Sequence, residues 1–166
     1  ECGACNMVSR LAIVKLEADA QTSFQHSIKL FGGIDDLNKS DRTVVVKPGV
    51  FEHKKKNHTT VEVMRAIVNS FNLAPRILVA ESDNYKGTGL ERLQIWKQIY
   101  NDRVLSFSLS EDKKTRQLTI NNEKISFSEQ IFKPNAFVST HVLRRYENGT
   151  ILKNLLGLVP DRKKVR

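Results

Sequence analysis

The sequence predicts a doubly wound α/β fold, in which a mainly parallel sheet carries one β-hairpin excursion near residues 116–131. Short β-branched or apolar runs alternate with segments of helical spacing, an order typical of strand–helix–strand units with helices on both faces of a sheet. Asn121-Asn122 separates the two runs of the excursion, and asparagine tolerates the positive φ that a tight hairpin turn requires.

The first three elements follow from short local patterns. Residues 10–16 contain the apolar run Leu11-Ala12-Ile13-Val14 and are predicted to be a strand. Residues 21–31 place apolar side chains at helical spacing and are followed by a Gly-Gly pair, as glycine commonly ends a helix. Residues 43–47 are nearly all β-branched, which favours a strand that stops at Pro48-Gly49.

The next helix is the clearest element in the sequence. Thr59 and Glu62 have the spacing of a capping box, and the apolar residues from Val61 to Phe71 fall on one helical face. Pro75 breaks this pattern. The later elements are predicted to be a strand at 76–80, a helix near 90–100, strands at 104–109 and 136–140, and a short helix near 150–156.

Length and composition favour a single α/β domain over residues 1–166. Of the 166 residues, 40% are apolar and 27% charged, which is typical of soluble globular proteins rather than disordered ones. The longest apolar runs have about four residues, far short of the roughly twenty that a membrane-spanning helix needs. Both cysteines lie in an N-terminal extension at 1–7, and no leader pattern is present, so we expect a cytoplasmic protein.

The net charge of +9 makes nucleic acid binding an alternative function. The basic excess is concentrated in Lys54-Lys55-Lys56, in Arg144-Arg145 and in the tail Arg162–Arg166. Aromatic residues that would stack on bases are not interleaved with these clusters, apart from Tyr146 beside the second one. Nucleic acid is therefore the less favoured partner.

Three polar residues follow strands of the predicted sheet. Lys47, Glu81 and His141 each stand at a strand end, and ligands of open parallel sheets bind beyond the carboxyl ends of the strands. We expect Lys47 to bind an anion, and Glu81 and His141 to be catalytic groups that carry a proton. The alternative is that these strand ends simply meet solvent.

Neighbouring residues would complete the ligand-binding site. Pro48, Gly49 and Ser82 directly follow the strand ends. Lys153 and Asn154 lie together on the predicted last helix, where they are either further ligand contacts or surface residues. The basic loop at 50–58 either covers an anion pocket or is a solvated run of charge.

Cys2 and Cys5 have the spacing of half an iron–sulfur or zinc site. Such sites need about four ligands, so an iron–sulfur cluster would require ligands from outside this chain. The alternative is a pair of unpaired thiols. No complete metal site is predicted.

Five short motifs occur in order along about residues 8–164. They are Val45-Val46-Lys47-Pro48-Gly49, Thr59-Thr60-Val61-Glu62-Val63, Val79-Ala80-Glu81-Ser82, Thr140-His141 and Leu152-Lys153-Asn154-Leu155-Leu156-Gly157. In this order and spacing the chain resembles the domain-of-unknown-function 362 family. Gly49 stands where that family usually has Asn, and Ser139 where it has Lys.

The resemblance implies redox or iron–sulfur-associated metabolism, because family members often carry ferredoxin-like cysteine clusters beside this domain. It also implies a ferredoxin-like domain or partner, and a chain that is either truncated at its C-terminus or one half of a site. From the convergence of the strand-end residues, we expect an enzyme-like domain that binds a small anionic substrate or cofactor at the carboxyl edge of the sheet. The reaction class is not predicted.

Overall fold

The computed structural model describes residues 11–16, 19–52, 54, 58–142 and 158. Within them a four-stranded parallel sheet comprises β1 (Thr43–Pro48), β2 (Arg76–Glu81), β3 (Val104–Ser108) and β6 (Ala136–Thr140), and a separate antiparallel hairpin comprises β4 (Thr115–Ile120) and β5 (Glu123–Ser128). The helices are α1 (Ala20–Leu30), α2 (Val61–Ser70) and α3 (Gly89–Leu93), with 3₁₀ segments at Gln94–Ile99 and Glu129–Ile131. The predicted α/β fold with a hairpin excursion is confirmed.

The strand order of the sheet is β3-β2-β1-β6, and all neighbouring strands are parallel. Along the chain, β2 and β3 are added on one side of β1, and β6 is then added on its other side. This change of direction is the reversal of a doubly wound sheet. Ligands of such sheets bind beyond the carboxyl ends of the strands where the order reverses. That point lies between β1 and β6, where Lys47 pairs with Ser139 and Pro48 with Thr140.

The first face of the sheet packs against α2 and the 3₁₀ segment that follows α3. Alternation along β1 sends Val44 and Val46 to this face, where they join Met64 and Ile67 of α2 and the buried Trp96. α1 packs outside this layer, against α2. Because α2 and α3 each follow a parallel strand, both helices begin at the carboxyl edge of the sheet.

The second face carries a smaller apolar cluster. Its buried members are Val45, Leu78, Ala80 and Leu109, and Ile131 and Leu158 pack against them. Ile131 belongs to the connection from β3 to β6, which crosses this face of the sheet. The helix predicted near 150–156 lies outside the described residues.

The hairpin turns as its sequence predicts. Asn121 and Asn122 have φ values of 50° and 64°, which is the left-handed region that a two-residue hairpin turn of type I′ requires at both positions. Ile120 and Glu123 form the last pair before the turn. The asparagine pair therefore fixes the register of β4 and β5.

The predicted strand at 10–16 is wrong for the residues that the structure describes. Residues 11–16 form neither helix nor strand, and the side chains of Leu11 and Ile13 are exposed. A short apolar run does not by itself specify a strand, because periodicity cannot assign so few residues. The four strands of the parallel sheet match their predicted bounds to within one residue.

The predicted cap of α2 is also wrong, by one residue. Thr60, not Thr59, is the N-cap, and its hydroxyl accepts the N–H of Val63 at 3.3 Å. A reciprocal capping box occurs instead at Thr88 and Glu91, before α3. The helix predicted near 90–100 is an α-helix only to Leu93, after which it tightens into the 3₁₀ segment.

Candidate functional site

Lys47 and Glu81 meet at the carboxyl edge of the sheet. They end the neighbouring strands β1 and β2, and the Nζ atom of Lys47 donates to Oε2 of Glu81 at 2.7 Å. Each side chain is only 2% exposed. The expectation that these two distant residues converge is confirmed.

Glu81 is held by further contacts on both of its oxygens. Its Oε1 atom accepts the N–H of Ser82 at 2.9 Å, and its Oε2 atom lies 3.6 Å from Nη1 of Arg92. Arg92 is also buried, with its side chain 1% exposed. The Lys47–Glu81–Arg92 cluster thus places one carboxylate between two cations, away from water.

Arg92 joins the loops that follow β1 and β2. Its Nη1 atom donates to the carbonyl of Val50 at 2.8 Å, and its Nη2 atom donates to the carbonyl of Ser82. Lys47 adds a similar contact, since its Nζ atom lies 3.3 Å from the carbonyl oxygen of Pro48. The two cations therefore fix the backbone around the site as well as the Glu81 carboxylate.

The position of Arg92 depends on a close approach of α3 to β2. A Cβ atom on Gly89 would lie 2.5 Å from the carbonyl oxygen of Glu81, so only glycine lets the helix begin here. The N–H of Gly89 donates to Asp83 at 2.7 Å, which anchors the first turn of α3. Arg92 is one turn further along, facing the Glu81 carboxylate.

Ser82 has a fully buried hydroxyl at this edge. Its Oγ atom has no hydrogen-bond partner among the residues that the structure describes. A buried hydroxyl without a partner costs free energy, and such groups in proteins call for a specific explanation such as an ordered water, an ion or a ligand. Ser82 therefore offers a donor directly behind the ion pair.

His141 packs against Gly49 across the reversal point of the sheet. A Cβ atom on Gly49 would overlap Nδ1 of His141 and would lie 2.9 Å from its Cγ. Both ring nitrogens are buried. The imidazole thus occupies the space that a side chain at position 49 would need, which explains why glycine stands there. Gly49 directly follows the last residue of β1, so the imidazole lies at the end of this strand.

The start of α2 lies against the same edge. The N–H of Thr59 donates to the carbonyl of Gly49 at 3.3 Å, and Trp96 Nε1 donates to the Thr59 carbonyl at 3.0 Å. The hydroxyls of Thr59 and Thr140 lie 3.5 Å apart. The loop between β1 and α2 therefore begins and ends at the same part of the carboxyl edge, with Thr59 beside Gly49 and Thr140.

The remaining sequence-predicted site residues divide by whether the structure describes them. Pro48 is the last residue of β1 and pairs with Thr140. Lys153, Asn154, Cys2 and Cys5 lie outside the described residues, as do Arg144-Arg145 and the basic tail. Of the first basic cluster the structure describes Lys54, which is exposed.

Two features that the described residues lack bear on the class of site. Among the described residues, no group of three or more histidine, cysteine, aspartate or glutamate side chains is arranged to hold a metal ion. Nor does any described helix combine the length and the apolar character that crossing a membrane requires.

The chain matches no protein-family model, no curated protein and no solved structure. The resemblance to the domain-of-unknown-function 362 family therefore stays a prediction. A proposal for function has to come from the geometry of the carboxyl edge.

Proposed function

We propose that this protein binds a small anionic substrate or cofactor at the carboxyl edge of its sheet, beyond the ends of the neighbouring strands β1 and β2. The observation that carries the proposal is the convergence of Lys47, Glu81 and Arg92 with the buried Ser82 hydroxyl. Fixed cations and donors beside a reversal of strand order are suited to an oxyanion, because they need no reorganisation to receive it.

Each residue has a distinct role in this proposal. Lys47 supplies the positive charge, and Glu81 orients it through the 2.7 Å ion pair. Ser82 donates its hydroxyl to the anion. His141 is the proton carrier in this proposal, because histidine is the side chain most often used for proton transfer and its ring packs against Gly49 directly after β1.

Three predicted roles remain part of the proposal on sequence grounds alone. Proton transfer by Glu81 stays a prediction, and the hydrogen bonds that both of its oxygens accept favour an orienting role. Lys153 and Asn154 are proposed as further ligand contacts because of their place in the family motif.

The redox part of the proposal rests on the resemblance. That part of the proposal is redox or iron–sulfur-associated metabolism, with a ferredoxin-like domain as partner. Cys2 and Cys5 would then supply two of the roughly four ligands that a cluster needs.

The experiment is calorimetric titration of the full chain with inorganic phosphate and with acetate. Ser82→Ala and His141→Asn are the test variants. Ser27→Ala is the control, because the Ser27 hydroxyl donates to the Phe24 carbonyl within α1 and has no part in the proposed site. Loss of one hydrogen bond to a charged ligand costs about 1.5–3 kcal/mol, so Ser82→Ala should weaken binding by roughly tenfold or more. Absence of binding, or binding unchanged in both test variants, would overturn the proposal.

A further inference from the structure

An exposed aromatic pair stands beside the proposed anion site. Phe51 is 39% exposed and Tyr85 is 73% exposed, and their rings meet edge to face with centroids 5.5 Å apart. Phe51 follows β1 and Tyr85 follows β2, so the pair bridges the two loops that Arg92 joins. The two rings adjoin each other rather than being scattered over the surface, and contiguous exposed apolar groups are a common feature of binding sites.

The Phe51 side of the pair is fixed by its backbone. The side-chain amide of Asn84 donates to the carbonyl of Phe51 at 3.1 Å. The preceding carbonyl, that of Val50, accepts from Arg92 at 2.8 Å. Two consecutive peptide groups are therefore held from the β2 side of the site, so the position of the Phe51 ring is coupled to that of the Lys47–Glu81–Arg92 cluster.

The Tyr85 side is fixed by a tight turn. Asn84 and Gly87 exchange backbone hydrogen bonds of 3.1 and 3.2 Å, and the N–H of Lys86 donates to the Asn84 side chain at 2.7 Å. This turn begins two residues after Ser82 and ends before the cap of α3. The turn thus fixes the backbone at Tyr85, and the solvent-facing ring contacts Phe51.

Lys86 adds a positive charge to the same surface. Its Nζ atom lies 5.4 Å from the centroid of the Tyr85 ring, within the range of a cation–π contact. A ring that stacks on Tyr85 would therefore lie beside this ammonium group. An anionic substituent on that ring would then bind at the proposed anion site.

We infer that the anion bound at this edge carries a flat aromatic ring, and that Phe51 and Tyr85 hold the ring while Lys47 and Ser82 receive the charged group. This inference rests on the proposed function and names its substrate class. Two aromatic rings and one lysine are far smaller than a standard protein interface of roughly 20–30 residues a side, which favours a small molecule over a protein partner. Stacking on one aromatic side chain is worth about 1–3 kcal/mol.

The test compares anions that differ only by the ring. Binding of phenyl phosphate is measured against inorganic phosphate, and binding of benzoate against acetate, by calorimetry with the full chain. By the stacking energy above, the ring should tighten binding by about fivefold to 150-fold. Tyr85→Leu should remove that gain and leave inorganic phosphate binding unchanged, whereas Tyr85→Phe should keep it. Phe31→Leu, at the C-terminus of α1, is the control for loss of an exposed ring elsewhere.

The outcomes separate the two proposals. If inorganic phosphate and acetate bind at the site but the ring gives no gain, or Tyr85→Leu keeps the gain, the aromatic inference is overturned and the anion site stands. If neither inorganic phosphate nor acetate binds, the anion site itself is overturned, and the aromatic inference that rests on it is overturned as well. A ring-dependent gain that Tyr85→Leu abolishes supports both.

Discussion

The ammonium group of Lys47 lies 2.7 Å from the carboxylate of Glu81, and each side chain is only 2% exposed. Burial removes water from both charges, and their mutual attraction and hydrogen bonds must offset that loss. Arg92 contributes a second cation 3.6 Å from the same carboxylate. The stability of the carboxyl edge should therefore depend strongly on which charge is removed.

Glu81→Gln should destabilise the protein more than Lys47→Met does. Removing the carboxylate leaves two buried cations beside each other, whereas removing Lys47 leaves Glu81 with Arg92. Breaking a buried pair costs about 3–5 kcal/mol. We expect the loss in free energy of unfolding to lie near the upper end of this range for Glu81→Gln and near its lower end for Lys47→Met. Urea unfolding gives both values.

Lys97→Met is the control for this pair of variants, because Lys97 is exposed on the 3₁₀ segment. It should change the free energy of unfolding by about 0.5 kcal/mol or less. The reverse order of the two buried variants would contradict the description of the cluster.

Gly49→Ala should displace the His141 ring. The added methyl group overlaps the imidazole, and the neighbouring ring must move. Overpacking of this kind costs about 1–3 kcal/mol. The measurement is the free energy of unfolding together with the NMR signals of the His141 ring.

A double variant tests the cause of that effect. When Gly49→Ala is combined with His141→Ala, the atoms that the new methyl group would meet are absent. The double variant should therefore lose less free energy of unfolding than the sum of the two single variants. Full additivity would mean that the methyl group destabilises the protein in some other way.

Thr60→Ala should cost about 1 kcal/mol, because the Thr60 hydroxyl accepts the N–H of Val63 at the start of α2. Thr60→Ser keeps that acceptor and should retain most of the stability. Thermal unfolding of both variants measures the difference. Equal losses in the two would show that the hydroxyl does not cap the helix.

Stability should fall at alkaline pH through Tyr100. Burial raises the pKa of the Tyr100 hydroxyl well above its ordinary value of 10.0, and the hydroxyl donates to the Leu93 carbonyl at 2.7 Å. Because the folded protein holds this proton more tightly than the unfolded chain, the contribution is complete below about pH 10 and is lost as the pH rises above it.

Tyr100→Phe removes this contribution and leaves the other titrating groups in place. The stability difference between the unmodified protein and the variant should shrink as the pH rises from about 9 to about 11. Urea unfolding at both values measures it. A difference that stays constant or grows would contradict the sign of the shift.

The sequence predicts much of the sheet because strand signals are local. A β-branched run ended by Pro48, and a strand that follows Pro75, can each be recognised without knowing their partners. The doubly wound topology then brings Lys47 and Glu81 together. The convergence of the site was predictable because it depends only on which residues end parallel strands.

Arg92 and the aromatic pair were not predicted, because their roles depend on three-dimensional packing. Arg92 is charged and stands next to the apolar Leu93 in a helix, where a charged residue normally faces solvent. One available signal was the Thr88–Glu91 spacing, which marks the start of α3 and so puts Arg92 in its first turns. Nothing local indicates that Phe51 and Tyr85 meet.

The most direct test of the account is an NMR titration of the isotope-labelled full chain with inorganic phosphate. The anion site predicts that the largest shifts occur at the amides of Gly49, Ser82 and His141, and that they saturate together. Shifts confined to Lys54 and the other basic stretches, or none at all, would show that anions do not bind at the carboxyl edge of the sheet.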